Sequence, residues 1–339
     1  MFTGFSAVAL LAIFSSALPV LICHSKLVQV PIYLSSTAIL VVEWIKLVTM
    51  TAMLARQMKL STGSCSILRL CDELFGLRSD WKAAILPSVL MVTSTNLQYF
   101  AILYMGVPHF VLAAQLSTVA TAALRWWILK RTLSWKKSIA LAAIVVGVMV
   151  VNLNHAFLSL IVRLLYFSPE WIEDAATGAL ILACLLVGSF NTWYDGPARS
   201  SSPSTLVRGI QMSVFGVLGA ALLALCMDSD IILENGMFHG YTMWTAATIL
   251  CHSLGGLLHD SVQRCAGSQA RSLATSLSIL IAAAMSFYLW GFEPSPATVC
   301  GAVFVIGGTC AFGLYEGQSP RLPHTIDEVG DLKNREAQV

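Results

Sequence analysis

The sequence predicts an all-α integral membrane protein of ten transmembrane helices, arranged as two inverted five-helix repeats. Three observations carry that reading: apolar runs of membrane-spanning length, basic residues held in alternate gaps between the runs, and a helical layout that occurs twice. Composition agrees, since the 339 residues are 57% hydrophobic and 11% charged, with a mean hydropathy of +0.75. Soluble domains carry about a quarter of their residues as charges.

A helix needs about 20 apolar residues to cross roughly 30 Å of hydrocarbon, and ten runs of that kind follow one another. They fall at approximately 4–23, 29–55, 82–104, 107–129, 135–153, 175–194, 207–227, 240–261, 271–291 and 297–316. Backbone groups in lipid must be satisfied within the segment, so each run reads as a helix. The first run resembles a secretory signal, but no basic residue precedes it and nine more spans follow, so it is expected to stay as a helix. The nine cysteines fall mostly inside the runs without metal-ligand spacing, which fits small buried apolar side chains. The tail, 317–339, is polar and holds Pro320 and Pro323, and is expected to be disordered and cytosolic.

Sixteen of the 20 basic residues lie in alternate gaps or in the tail. One set of gaps carries Arg56, Lys59, Arg69, Arg78 and Lys82, then Lys130, Arg131, Lys136 and Lys137, then Arg199 and Arg208, then Arg264 and Arg271. The other set is nearly free of basic residues and carries the acidic stretches 170–174 and 228–234. Basic loops stay on the cytosolic side of a membrane, so both termini are expected in the cytosol. The one-sided charge accounts for the pI near 8.1 without nucleic acid, and no Walker-type glycine loop suggests an ATP-driven pump.

Leu116 through Ser134 to Gly147 and Leu277 through Ser295 to Gly308 share a layout of helix, polar turn and helix with a late glycine, at an offset of 161 positions. A repeat of five spans reverses direction in the second copy, which is the plan of many secondary transporters with a substrate site where the halves meet. Residues 1–155 and 170–316 are the expected halves.

Charges inside a span are expensive and are kept for a partner or a cavity. Glu43 and Lys46 sit three apart on one face of the second helix, either as a self-neutralising structural pair or as an ion pair beside a substrate cavity. Asn96, Gln98 and Tyr99 in the third helix, with Gln115, Ser117 and Thr118 in the fourth, form a second polar cluster. It fits close helix packing and equally the reading of a base or sugar. Arg264 and Arg271 flank the eighth connection, as cytosolic anchors or as a phosphate clamp. His252, His259 and Asp260 lie at helical spacing and suggest packing or a proton relay. Arg125 is expected to snorkel to the cytosolic interface, while Gly255, Gly256, Gly307 and Gly308 suggest close helix contacts.

Together, Tyr33-Leu-Ser-Ser-Thr37, Glu43-Trp-Ile-Lys46, Pro87, Asn96-Leu-Gln-Tyr99, Ala101, Gln115-Leu116, Arg131-Thr-Leu-Ser134, Arg208, Gln211, Gly240-Tyr-Thr242, Trp244, Gly255-Gly-Leu257 and Ala274-Thr-Ser-Leu-Ser278 resemble the Golgi nucleotide-sugar transporters. The branch is the one carrying UDP-galactose, CMP-sialic acid and UDP-N-acetylglucosamine, and the resemblance spans roughly residues 20–315. It implies the drug/metabolite transporter fold. It also implies a cavity lined by Glu43, Lys46, Asn96, Tyr99 and Gln115, with Arg264 and Arg271 near the phosphates. Ser117, Tyr194, Tyr241, Gly256, Ser276 and Ser278 complete the expected substrate-binding set. Departures cluster around the cavity: Ser117 replaces a lysine, Ser94-Thr95 replaces Gln-Asn, and Asp195-Gly196 replaces an acidic-basic pair. Arg264-Cys265 and Gly267-Ser268 stand where Lys-Tyr and Asp-Asn are typical.

The resemblance implies an antiporter that exchanges a cytosolic pyrimidine nucleotide sugar for a luminal nucleoside monophosphate. A UDP-sugar such as UDP-galactose comes first and CMP-sialic acid second. No cofactor, metal, nucleic-acid partner or enzyme activity is expected; a homo-oligomer stays open, as does endoplasmic reticulum in place of Golgi. The alternatives are a proton-coupled exporter of the same fold and a non-transporting scaffold.

Overall fold

The computed structural model describes residues 4–28, 32–62, 67–76, 79, 81–130, 133–166, 171–195, 205–265 and 267–317, and every regular element among them is helical. In chain order these are α1 (Gly4–Leu27), α2 (Ser35–Thr62), the short α3 (Ile67–Phe75), a 3-10 turn (Trp81–Ala84) leading into α4 (Ile85–Met105), α5 (Val107–Ala113), α6 (Leu116–Ile128) and α7 (Trp135–Tyr166). They continue with α8 (Trp171–Asp195), α9 (Thr205–Asn235), α10 (Met243–Cys265), α11 (Gly267–Trp290) and α12 (Pro296–Gly317). The expected tail lies outside the described residues.

Among the described residues, nine helical segments are long and apolar enough to cross a membrane, taking α4 with its 3-10 turn and α5 with α6. The chain is thus an all-α integral membrane protein. Ten spans were expected, and the segment outside the nine is α10. It carries His252, Ser253 and His259 along its 23 residues and packs against α1, α2 and α11, leaving Trp244, Leu250 and Leu254 exposed.

Two helices run past the ends expected for them. The helix α7 runs on to Tyr166. The acidic stretch 228–234, expected as a connection, is the last part of α9, broken only at Asp228, where φ is −126° and ψ is 18°. The fourth span is interrupted. Gly106 between α4 and α5 takes a φ of 73°, a backbone that side chains with a Cβ rarely adopt. At the α5–α6 junction the N–H groups of Gln115, Ser117 and Thr118 donate to carbonyls three residues back, the tighter 3-10 pattern.

Helix pairing follows a rule of exchange. The pairs α1·α10 and α8·α4 correspond when each span is swapped with the one five further on, as do α1·α11 with α8·α6 and α2·α10 with α9·α4. The pairs α2·α9 and α7·α12 map onto themselves.

The α7·α12 seam shows the same rule residue by residue. A Cβ on Gly147 would lie 2.6 Å from the Gly301 carbonyl oxygen and 2.8 Å from Val305, and a Cβ on Gly308 would lie 2.7 Å from the Ala140 carbonyl oxygen and 2.8 Å from Ile144. Moving 161 positions along the chain turns Ala140, Ile144 and Gly147 into Gly301, Val305 and Gly308, so each contact is the image of the other. Residue 147 meets 301 while 140 meets 308, hence the two helices run antiparallel. With lipid offering no hydrophobic drive between helices, such small-residue seams supply the close van der Waals contact that holds them. Of the four glycines expected at contacts, Gly256 and Gly308 are in tight ones. A Cβ on Gly255 would lie 3.5 Å from Phe14, an ordinary contact, and a Cβ on Gly307 would meet open space.

Candidate functional site

Midway along α2, the Lys46 ammonium donates to the Glu43 carboxylate over 2.8 Å. One helical turn separates the two residues, so the pair closes on its own helix and neutralises two charges before they meet lipid. Both side chains are largely covered, at 16% and 18% exposure. Room for them comes from glycines on two neighbouring helices. A Cβ at Gly216 of α9 would stand 2.8 Å from the Glu43 carboxylate, and one at Gly256 of α10 would stand 2.9 Å from Cε of Lys46. Gly256, expected on the substrate-binding set, is therefore beside the pair, and Gly216 joins it. Nothing in the sequence marked Gly216, because its role depends on α9 lying against α2.

One turn before Gly256, His252 accepts or donates at Nδ1 to the Tyr99 hydroxyl of α4 over 3.1 Å. The two rings stack with centroids 5.9 Å apart and planes 24° apart. Tyr99 is 1% exposed and belongs to the main apolar core. Three helices, α2, α4 and α10, thus bring Glu43, Lys46, Gly256, His252 and Tyr99 together. Asn96, one turn before Tyr99, donates to the Val92 carbonyl over 3.0 Å. Buried Gln115 donates to the Val111 carbonyl over 3.4 Å at the α5–α6 junction.

The remaining candidates have other company. The Ser117 carbonyl accepts from Thr121 over 2.7 Å. Ser276 accepts from the Cys310 thiol over 3.2 Å, and Ser278 donates to the Thr275 carbonyl over 2.7 Å. Tyr241 belongs to a separate group at the α1–α2 end: its hydroxyl donates to Thr37 over 3.2 Å, its ring meets Tyr33 edge to face, and Ser25 donates to the Tyr33 hydroxyl over 3.1 Å. Burial pushes the Tyr33 phenol up to about 12 and raises Tyr241 as well. In the same region Lys26 reaches Ser35, and Ser36 reaches Asp228 at the α9 break. The side chains of Tyr194, Arg264 and Arg271 lie outside the described residues, as does that of Asp260.

Two cavities among the described residues are lined by other side chains. One of about 500 Å³ opens on the outer face of α2 among Leu40, Trp44, Val48, Met237 and Phe238, an apolar lining. A water-sized one of about 30 Å³ lies among the hydroxyls of Thr118, Ser272, Thr275 and Thr309, next to Glu316.

A helical membrane bundle with an ion pair enclosed between helices has many possible cargoes, and comparison with known proteins narrows them. The family model described as nucleotide-sugar transporter matches residues 3–313. This chain belongs to the nucleotide-sugar transporter family. It is similar to the UDP-galactose transporter of Schizosaccharomyces pombe, 29% identical over 313 residues, covering 89% of this chain and 85% of that one. It also resembles the UDP-N-acetylglucosamine transporter of Rattus norvegicus, 26% identical over 284 residues, with 84% and 86% covered. The UDP-galactose translocator of Mus musculus is 26% identical over 314 residues, with 92% and 78% covered. The protein is a transporter and not an enzyme.

Within the family framework, several residues behind the resemblance hold the bundle. Gln211 donates from Nε2 to the Leu74 carbonyl and to Ser79, both at 2.7 Å, and so fastens the α3 connection to α9. Arg208, only 3% exposed, lies 5.7 Å over the Trp193 ring. Arg125, expected at the cytosolic interface, has its partner at the end of the last span: its guanidinium donates to Glu316 of α12 over 2.6 Å, with the two side chains 12% and 22% exposed. The partner stands 191 positions further along the chain, beyond any local pattern.

Proposed function

We propose that this family member is an antiporter of the Golgi membrane that exchanges a cytosolic pyrimidine nucleotide sugar for a luminal nucleoside monophosphate by alternating access. UDP-galactose or a related UDP-sugar is the first substrate in order, in line with the names of the similar transporters, and CMP-sialic acid is the second. The observation that carries the reading is the Glu43–Lys46 pair, set in space made by Gly216 and Gly256.

The pair suits an anionic cargo. At rest Glu43 satisfies Lys46 at small cost, since both groups share one helix. A phosphate entering beside α2 can take over the ammonium as a charge-assisted partner, and its departure returns Lys46 to Glu43. Tyr99 and Asn96 of α4, with Gln115, are the groups for the base and sugar. Arg264 and Arg271 are the further phosphate contacts in this scheme, Ser117 leaving a gap where the family carries a lysine.

The exchange rule among helix pairs and the antiparallel α7·α12 seam support two five-helix halves of opposite direction. Rocking of such halves about a shared site gives access to each side in turn. The basic connections, together with both termini, belong on the cytosolic side.

Exchange in proteoliposomes tests the proposal. Vesicles loaded with UMP or with CMP are offered a panel of labelled nucleotide sugars. Uptake that requires trapped UMP supports a UDP-sugar antiporter, and CMP dependence transfers the assignment to CMP-sialic acid. Folded protein that takes up none of the panel removes the proposal in favour of an exporter or a scaffold.

A further inference from the structure

We infer that His252 is a positioning residue of the proposed nucleotide-sugar site: through its Nδ1 it holds the Tyr99 phenol, and so fixes the aromatic ring that the substrate meets. The inference rests on the transport reading above and adds to it a residue that neither the family resemblance nor the charge pattern assigned.

The geometry is specific. Tyr99 is buried to 1% exposure, the rings stack at 5.9 Å, and the hydroxyl has Nδ1 at 3.1 Å. A buried phenol hydroxyl without a partner is costly, and a packed ring with two torsions held by one terminal hydrogen bond has little freedom left. With Tyr99 donating, Nδ1 is the acceptor nitrogen and the ring proton resides on Nε2. The hydroxyl is then taken by His252, which fixes the phenol in place beside the Lys46 region.

Position on the helix adds the second part of the argument. His252 lies one turn from Gly256, against which Lys46 packs. The same face of α10 therefore seats the ammonium proposed for the phosphate and orients the phenol proposed for the base. In the exchange rule α4 and α10 are each other's images, so this bond joins the two halves across the relation that pairs them. A group there sets the distance between phosphate and base contacts, which is where orientation governs the usefulness of bound substrate.

The test is a set of variants assayed for nucleotide-sugar exchange in UMP-loaded proteoliposomes, with thermal unfolding measured in parallel. His252→Leu and Tyr99→Phe are each expected to raise KM about 3- to 10-fold, the effect of one lost hydrogen bond, while the maximal rate stays within about 2-fold. The double variant is expected to be no worse than either single one, because both remove the same bond. His252→Asn is expected to return KM towards the unsubstituted protein, since an amide oxygen falls close to the place of Nδ1. Additive losses, or an Asn variant as impaired as the Leu variant, would overturn the inference, as would a Leu variant whose only change is in unfolding temperature. Unsubstituted protein that exchanges no nucleotide sugar sinks the transport reading and this inference with it. Normal exchange by His252→Leu sinks this inference alone.

Discussion

Two ion pairs in this bundle have nearly the same length and opposite construction. Glu43 and Lys46 pair at 2.8 Å along a single helix, whereas Arg125 of α6 and Glu316 of α12 pair at 2.6 Å between helices that stand nearly 200 positions apart in the chain. The first neutralises charge without fastening anything, and glycines from α9 and α10 leave its surroundings uncluttered. The second fastens one helix to another. A charge held within one helix can change partners while the fold stays intact, but a charge held between helices cannot be released without loosening them. The difference separates a group suited to handling cargo from one that frames the bundle.

Breaking the first pair should show the largest effect. Lys46→Ala leaves Glu43 enclosed without its cation and removes the proposed phosphate partner. Exchange is expected to fall at least about 30-fold, near 2 kcal/mol for truncating one member of a covered charge pair, as read from initial uptake rates. Next comes the frame itself. Gly147→Leu drives a side chain into the Gly301 carbonyl across the α7·α12 seam and should cost about 1–3 kcal/mol of stability, seen as a lower unfolding temperature in detergent. The image substitution at Gly308 should cost a similar amount; a large disparity between the two would weaken the symmetry argued for the seam.

Arg125→Ala sharpens the comparison from the other side. About 1–2 kcal/mol of stability should be lost, between the values for exposed and buried pairs, while KM for the nucleotide sugar stays within about 2-fold. If this variant lost exchange and kept its stability, the roles given to the two pairs would be reversed. The smallest effect is expected at Tyr241→Phe, which removes the bond to Thr37 in the α1–α2 group. Its cost should be about 1 kcal/mol or less, with exchange reduced less than about 5-fold.

Much of this was legible in the chain. Nine of the ten expected spans are borne out among the described residues, because lipid admits few alternatives to a helix, and the Glu43–Lys46 pair followed from a spacing of three within one span. The offset between Gly147 and Gly308 was visible in the chain, but not that their two helices pack against each other. Helix ends were less legible: α7 runs on through the apolar stretch 156–166 past Asn154 and His155, and α9 continues through the acidic stretch 228–234. Pairings between distant elements were not legible at all. The Glu316 partner of Arg125, the His252 partner of Tyr99 and the space that Gly216 leaves for Glu43 each depend on two helices meeting, and no periodicity within one helix encodes that meeting.

The central claim is that Lys46 serves an anionic nucleotide cargo and not the fold. Its most direct test is uptake of labelled UDP-galactose into UMP-loaded proteoliposomes by the unsubstituted protein and by Lys46→Gln, with unfolding temperatures measured on the same preparations. The account predicts UMP-dependent uptake that Lys46→Gln abolishes while its unfolding temperature shifts by only a few degrees. Equal uptake by the two proteins, or a Gln variant that fails only because it unfolds, would contradict it.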